Sequence, residues 1–118
     1  MVKKPITRLK HILESLELIE SYLEGKTKED FINSQQLQDA VIRRMEIIGE
    51  AIKIIPEDIR KLDPTIPWKQ IAGMRDILIH QYFGVDLDLT WEAVKKENPK
   101  LKTKLEAILK ALEKEKEE

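Results

Sequence analysis

Between residues 34 and 55 apolar side chains recur at helical spacing on two faces at once, which narrows the folds open to this chain. Leu37, Val41, Met45, Ile48, Ile52 and Ile55 form one stripe, and Ala40, Ile47, Ala51 and Ile54 form a second. A helix on the surface of a small protein needs one apolar stripe. Two stripes predict two neighbours, the rest of a helical bundle on one side and a second subunit on the other. Gly49 lowers helix propensity inside this segment, so its expected purpose is the close approach of another helix.

The remaining periodicity is also helical. Leu9, Ile12, Leu13, Leu16, Ile19 and Leu23 make a stripe that ends near Gly25. Pro56 stops the second helix, and residues 57–62 predict a short helical turn before the Asp63-Pro64-Thr65-Ile66-Pro67 connection. Pro67 suits the first position of a third main helix, expected from Trp68 to Phe83 and closed by Gly84 as a left-handed cap. Asp88 is expected to cap a short helix holding Leu89, Trp91 and Val94. Asn98-Pro99 then interrupts and restarts the chain as a last helix, with Leu101, Leu105, Ile108, Leu109 and Leu112 inward. No alternating strand pattern stands out. The expectation is an all-α antiparallel bundle of four main helices plus short ones, forming one domain over residues 1–118, with 113–118 a solvated, frayed tail.

Bulk properties exclude several classes of protein. At 118 residues the chain can bury about two-thirds of its unfolded surface. It contains no cysteine, which removes disulfides, thiolate zinc sites and cysteine nucleophiles and suits a reducing cytoplasm. Thr7, Arg8, Lys10 and His11 break any apolar run behind Met1-Val2-Lys3-Lys4-Pro5, so no signal peptide is expected, and no membrane span either. The net charge of −1 argues against gripping nucleic acid by bulk electrostatics. Any nucleic-acid contact must be local, through patches such as Lys3-Lys4-Arg8-Lys10 or Arg43-Arg44, and no DNA partner is expected. With two histidines and no carboxylates at ligand spacing, neither a metal site nor a cofactor is expected. Glycine-rich phosphate loops and a G-x-S-x-G nucleophile are also missing from the sequence.

One stretch carries chemistry. Arg75, His80 and Tyr82 stand in the pattern R-x4-H-x-Y within an otherwise apolar run. The imidazole titrates near neutrality, and a guanidinium can hold a phosphate oxygen pair, so the combination suits phosphoryl chemistry. On an ideal helix Arg75 and Tyr82 would share a face, as would Asp76 and His80, whereas Arg75 and His80 would not stack. Either the arginine curls round or another chain completes the site. Each residue also has a structural alternative: His80 as a helix-end cation, Arg75 as a tie to Glu50 or Asp76, and Tyr82 as a packed ring. His11 has no partner at site spacing and reads as incidental.

Around these residues the chain resembles a known family. Leu37-Gln38-Asp39-Ala40, Arg43-Arg44 and Ile47-Ile48-Gly49-Glu50-Ala51 are similar to the long second helix of the HepT-like ribonuclease toxins of the HEPN superfamily. Ile66-Pro67-Trp68, Ile71-Ala72-Gly73-Met74-Arg75 and Tyr82-Phe83-Gly84-Val85-Asp86 resemble the segments around the active site of that family. Trp91 and Pro99-x-Leu101 continue the resemblance, which runs from near residue 6 to near residue 112. The position after the arginine, often asparagine in the family, is Asp76 here.

The resemblance implies a HEPN-like bundle acting as a metal-independent endoribonuclease toxin of a type VII-like pair. RNA would be cut by attack of the 2′-hydroxyl, with His80 as acid or base, Arg75 on the phosphate and Asp76 in support. It further implies a minimal nucleotidyltransferase antitoxin (MntA type) that silences the toxin by transferring AMP to Tyr82, and a homodimer in the cytoplasm. The alternative is a non-catalytic helical module that docks a nucleotidyltransferase or a nucleotide.

Overall fold

A computed structural model describes residues 3–74, 76, 79–80 and 84–117; at 3, 79, 80, 85, 116 and 117 it describes the backbone alone. The chain opens with α1 (Lys3–Leu23), a short α2 (Lys28–Ile32) and α3 (Gln35–Lys53). A single turn, α4 (Glu57–Arg60), and α5 (Trp68–Ala72) follow. Two-residue segments β1 (Ile79–His80) and β2 (Gly84–Val85) then lead into α6 (Leu87–Glu92), a π-helical turn (Ala93–Glu97) and α7 (Asn98–Glu117).

The bundle is built on α1, which packs against both α3 and α7. Both neighbours run antiparallel to it. Arg8, near the start of α1, donates to the Ile54 carbonyl at the end of α3 (3.2 Å). Lys10 faces Glu113 at 4.0 Å, and Glu20 faces Lys102 at 3.3 Å, so the start of α1 meets the end of α7 and the reverse. The sequence stripes supply the core: Leu9, Ile12, Leu16 and Ile19 from α1, Val41, Met45, Ile48 and Ile52 from α3, and Leu101, Leu105, Ile108 and Leu112 from α7 are all buried. Removing each such side chain from water contributes about 1.5–3 kcal/mol. The second stripe of α3 is only half covered, and Ile54 remains 53% exposed.

Four sequence expectations need correction. The helix expected from Trp68 to Phe83 ends at Ala72, with Gly73 as its cap. Met74 and Asp76 are again helical, but Ile79 and His80 are extended and pair antiparallel with Val85 and Gly84. Glycine at 73 weakens the helix, and the β-branched Ile79 favours extended backbone beyond it. Gly84 does take a left-handed φ of 79°, but within this pairing and not as a helix cap.

The cap of α6 is Asp86, which accepts from the Leu89 N–H at 3.0 Å; Asp88 instead pairs with Lys28 at 2.9 Å. Asn98-Pro99 does not interrupt the chain. Pro99 has no N–H, and its ring crowds the carbonyl four residues back, so the preceding turn widens. The Asn98 N–H accordingly reaches back five residues to the Ala93 carbonyl, and helix continues to Glu117.

The sequence did not predict α2. Its capping box is nonetheless present: Thr27 Oγ1 accepts from the Asp30 N–H (3.1 Å), and Asp30 Oδ2 accepts from the Thr27 N–H (2.9 Å). Five residues are too few to establish a period. The element buries Phe31 completely, against Trp91 at a ring-centroid distance of 5.7 Å.

Candidate functional site

The segment that carries Arg75, Asp76, His80 and Tyr82 is held at both ends. Upstream, Arg60 binds the end of α3. Its guanidinium donates to the carbonyls of Ile52 (2.9 Å) and Ile55 (3.0 Å) at the C-terminal end of that helix. The indole N–H of Trp68 donates to the carbonyls of Arg60 (3.2 Å) and Asp63 (3.1 Å), tying α5 to that corner. α5 then lies across α3 at Gly49, where a Cβ would meet the Ile71 carbonyl oxygen at 3.1 Å and that of Ala72 at 3.4 Å. The expected close approach at Gly49 is present, and its partner is the backbone of α5.

A short polar chain stabilises the same corner. Lys104 donates to Thr65 Oγ1 at 2.8 Å, and the Thr65 hydroxyl donates to Asp63. That hydrogen bond, with the Thr65 N–H and the charge of Lys104 behind it, holds the Asp63 carboxyl below its usual pKa. Downstream, the Asp86 cap is joined by the Thr90 hydroxyl, which donates to the Asp86 carbonyl at 2.7 Å. Lys28 on α2 reaches Asp88, and its hydrogen bond with that carboxylate raises the lysine pKa.

Between these anchors, Asp76 is exposed, and its N–H donates to the Gly73 carbonyl at 3.1 Å. His80 is described through its backbone only, in register with Gly84. Arg75 and Tyr82 lie outside the described residues. The helical-wheel relation expected between Asp76 and His80 fails, because Ile79 and His80 are extended; the relations expected of Arg75 and Tyr82 lie outside the described residues.

Elsewhere, His11 is exposed, in keeping with an incidental histidine. The basic patch at the start of α1 is partly engaged within the chain, through Arg8 with Ile54 and Lys10 with Glu113. Beside Met74, the residue before Arg75, a cavity of about 590 Å³ opens between α5, α6 and the start of α7. The buried Asn98 lines it. Sequence reasoning took Asn98 for a helix-restart residue; the available signal was a polar side chain three residues before Leu101 in an inward-facing position. No helix among the described residues is long and apolar enough to cross a membrane.

Residues 12–108 match the family model described as "Ribonuclease HepT-like". The chain is 61% identical over 108 residues to a Methanocaldococcus jannaschii protein named "Gamma-glutamylcyclotransferase and putative RNase", spanning 92% of this chain and only about half (49%) of that protein. It is 50% identical to a "Probable ribonuclease HepT" of Thermococcus cleftensis, over 86% of this chain and 93% of the relative. A "Putative RNase" of Caldanaerobacter subterraneus subsp. tengcongensis is 44% identical, over 92% of this chain and 96% of its own length. No solved structure matches the chain.

Proposed function

Because the chain belongs to the ribonuclease HepT-like family, we propose that it is a metal-independent endoribonuclease and the toxin of a toxin–antitoxin pair. The observation that carries this is the intact R-x4-H-x-Y set in a chain matching the family model across residues 12–108. Arg75 and His80 supply a phosphate clamp and a proton carrier in the chemistry that RNA cleavage needs.

In the proposed reaction a base removes the proton of the ribose 2′-hydroxyl, and the oxygen attacks the adjacent phosphorus. The bond to the 5′-oxygen breaks, and that oxygen takes a proton, leaving a cyclic phosphate and a free 5′-hydroxyl. His80 acts as base or acid, Arg75 stabilises charge on the pentacoordinate phosphate, and the exposed Asp76 supports His80. Two copies of the motif in one cleft would provide acid and base from one histidine position. The half-covered second stripe of α3, with Ile47, Ala51 and Ile54, supports a homodimer. Control is proposed to come from a nucleotidyltransferase that places AMP on Tyr82, where the added phosphate competes for Arg75.

Purified protein incubated with cellular RNA tests the reading. Cleavage should persist in EDTA and yield cyclic-phosphate and 5′-hydroxyl ends; loss of activity on chelation, or 5′-phosphate ends, would overturn the mechanism. Co-expression with the partner enzyme should give protein carrying AMP on Tyr82 and no nuclease activity. An unmodified Tyr82 in neutralised protein would mean inhibition by docking.

A further inference from the structure

The cavity between α5, α6 and the start of α7 has the features of a small-molecule site. Its volume of about 590 Å³ falls in the roughly 300–1,000 Å³ range of such sites. Ile71 and Leu101 line it from the buried core, with Met74 and Ala93 beside them, so its walls are mainly apolar. Met74 also places it one residue from Arg75 along the chain.

Asn98 is the residue that bulk packing does not explain. It is only 5% exposed, and its side-chain amide donates to the Met45 sulfur at 3.5 Å, a weak acceptor. Its side-chain oxygen accepts no hydrogen bond among the described residues. Yet no fully buried side-chain nitrogen or oxygen there lacks a partner, so this oxygen is not fully buried, and the residue that carries it lines the cavity. Burying a carboxamide without partners is unfavourable, and an apolar residue would fill the seam better. An acceptor and a remaining amide hydrogen, held at the side of an apolar slot, match the amino edge and ring nitrogen of adenine, the base asparagine pairs with best. A base is flat and apolar on its faces, which suits the walls.

Lys100, Lys104, Gln70 and Glu97 also line the cavity, and Lys104 already donates to Thr65 Oγ1 at 2.8 Å. A phosphodiester leaving the cavity would be drawn to Lys100.

We propose that this cavity is the subsite for one unstacked adenine base of the RNA, with Asn98 reading its amino edge. The proposal rests on the ribonuclease reading above and adds a base preference to it. Isotope-labelled protein is titrated with adenosine monophosphate, uridine monophosphate and ribose 5-phosphate, followed by NMR. Adenosine monophosphate should shift the side-chain amides of Asn98 and Gln70 and bind roughly ten- to a hundredfold more tightly than uridine monophosphate. Ala93→Leu, which fills the cavity, should weaken it at least about tenfold, and Asn98→Leu should abolish the preference for adenine; circular dichroism shows which variants fold, and either one suffices. In oligonucleotides carrying a single adenine among uridines, cleavage should concentrate at a fixed offset from that adenine.

Equal shifts from ribose 5-phosphate and adenosine monophosphate, or adenine binding unchanged in the folded variants, would overturn the site. Discriminating nucleotide binding with cleavage indifferent to adenine position would assign the cavity to free nucleotide and overturn its role in RNA binding. Discriminating binding by a wild-type protein that cuts no RNA would support the adenine site and overturn the ribonuclease reading.

Discussion

The three-helix bundle and the segment from Trp68 to Asp86 hold their shapes by different means. In α1, α3 and α7, long helices bury complementary apolar stripes, and no single contact decides their position. Among the described residues between Trp68 and Asp86 the elements are two to five residues long, and their position depends on Trp68 and Ile71 in the core, the Arg60 and Trp68 hydrogen bonds, the close approach at Gly49 and the Asp86 cap. Distributed packing gives the bundle stability.

That contrast predicts separable effects. Leu105→Ala, in the fully buried seam of α7, should lower stability by about 2–5 kcal/mol in thermal or denaturant unfolding. RNA cleavage per folded molecule should stay near wild type at low temperature. If activity falls in proportion to nothing but stability, the division holds; a specific loss in fully folded protein would break it.

Gly49→Val sits where the two regions meet. The new side chain drives into the Ile71 and Ala72 carbonyls, which are backbone and can yield only by moving α5. The expected cost is about 1–3 kcal/mol, with a fall in cleavage larger than the fraction unfolded explains. Trp68→Phe removes the donor to the Arg60 and Asp63 carbonyls while keeping the ring, and should cost about 1–2 kcal/mol. Denaturant titration and single-turnover cleavage measured together separate the two outcomes.

The smallest effect concerns acid. Asp63 has a lowered pKa in the folded protein, because Thr65 donates hydrogen bonds to its carboxylate. Its stabilisation is therefore present above the unfolded carboxyl value of about 3.9 and is lost as pH falls through the lower folded value. Asp63→Asn should flatten the acid limb of a stability-against-pH curve below about pH 4 and leave neutral-pH cleavage nearly unchanged.

The bundle was legible because its signal is repeated: four or more apolar residues per helix fix which face is buried, as Leu9 to Ile19 and Val41 to Ile52 illustrate. Its second α3 stripe and the use of Gly49 followed from the same logic. The motif segment was not legible in this way. Apolar residues on nearly every side of residues 71–79 suit a buried helix and an extended segment alike, and nothing in the spacing revealed the pairing of Ile79 with Val85. Asp86 and Asp88 offer the same capping chemistry two residues apart, so periodicity alone chose the wrong one. Arg75 and His80 stood out through resemblance to a family, and Asn98 was hidden because the cavity it lines is formed by elements far apart in sequence.

The central proposal is that proton transfer at His80 drives RNA cleavage and that His80 is not needed for the fold. Wild type and His80→Ala, matched for circular dichroism and melting temperature, are compared on the same RNA in single-turnover cleavage. The account predicts a loss of about a hundred- to ten-thousandfold in rate with the fold unchanged. A His80→Ala protein that cleaves RNA at the wild-type rate would contradict it.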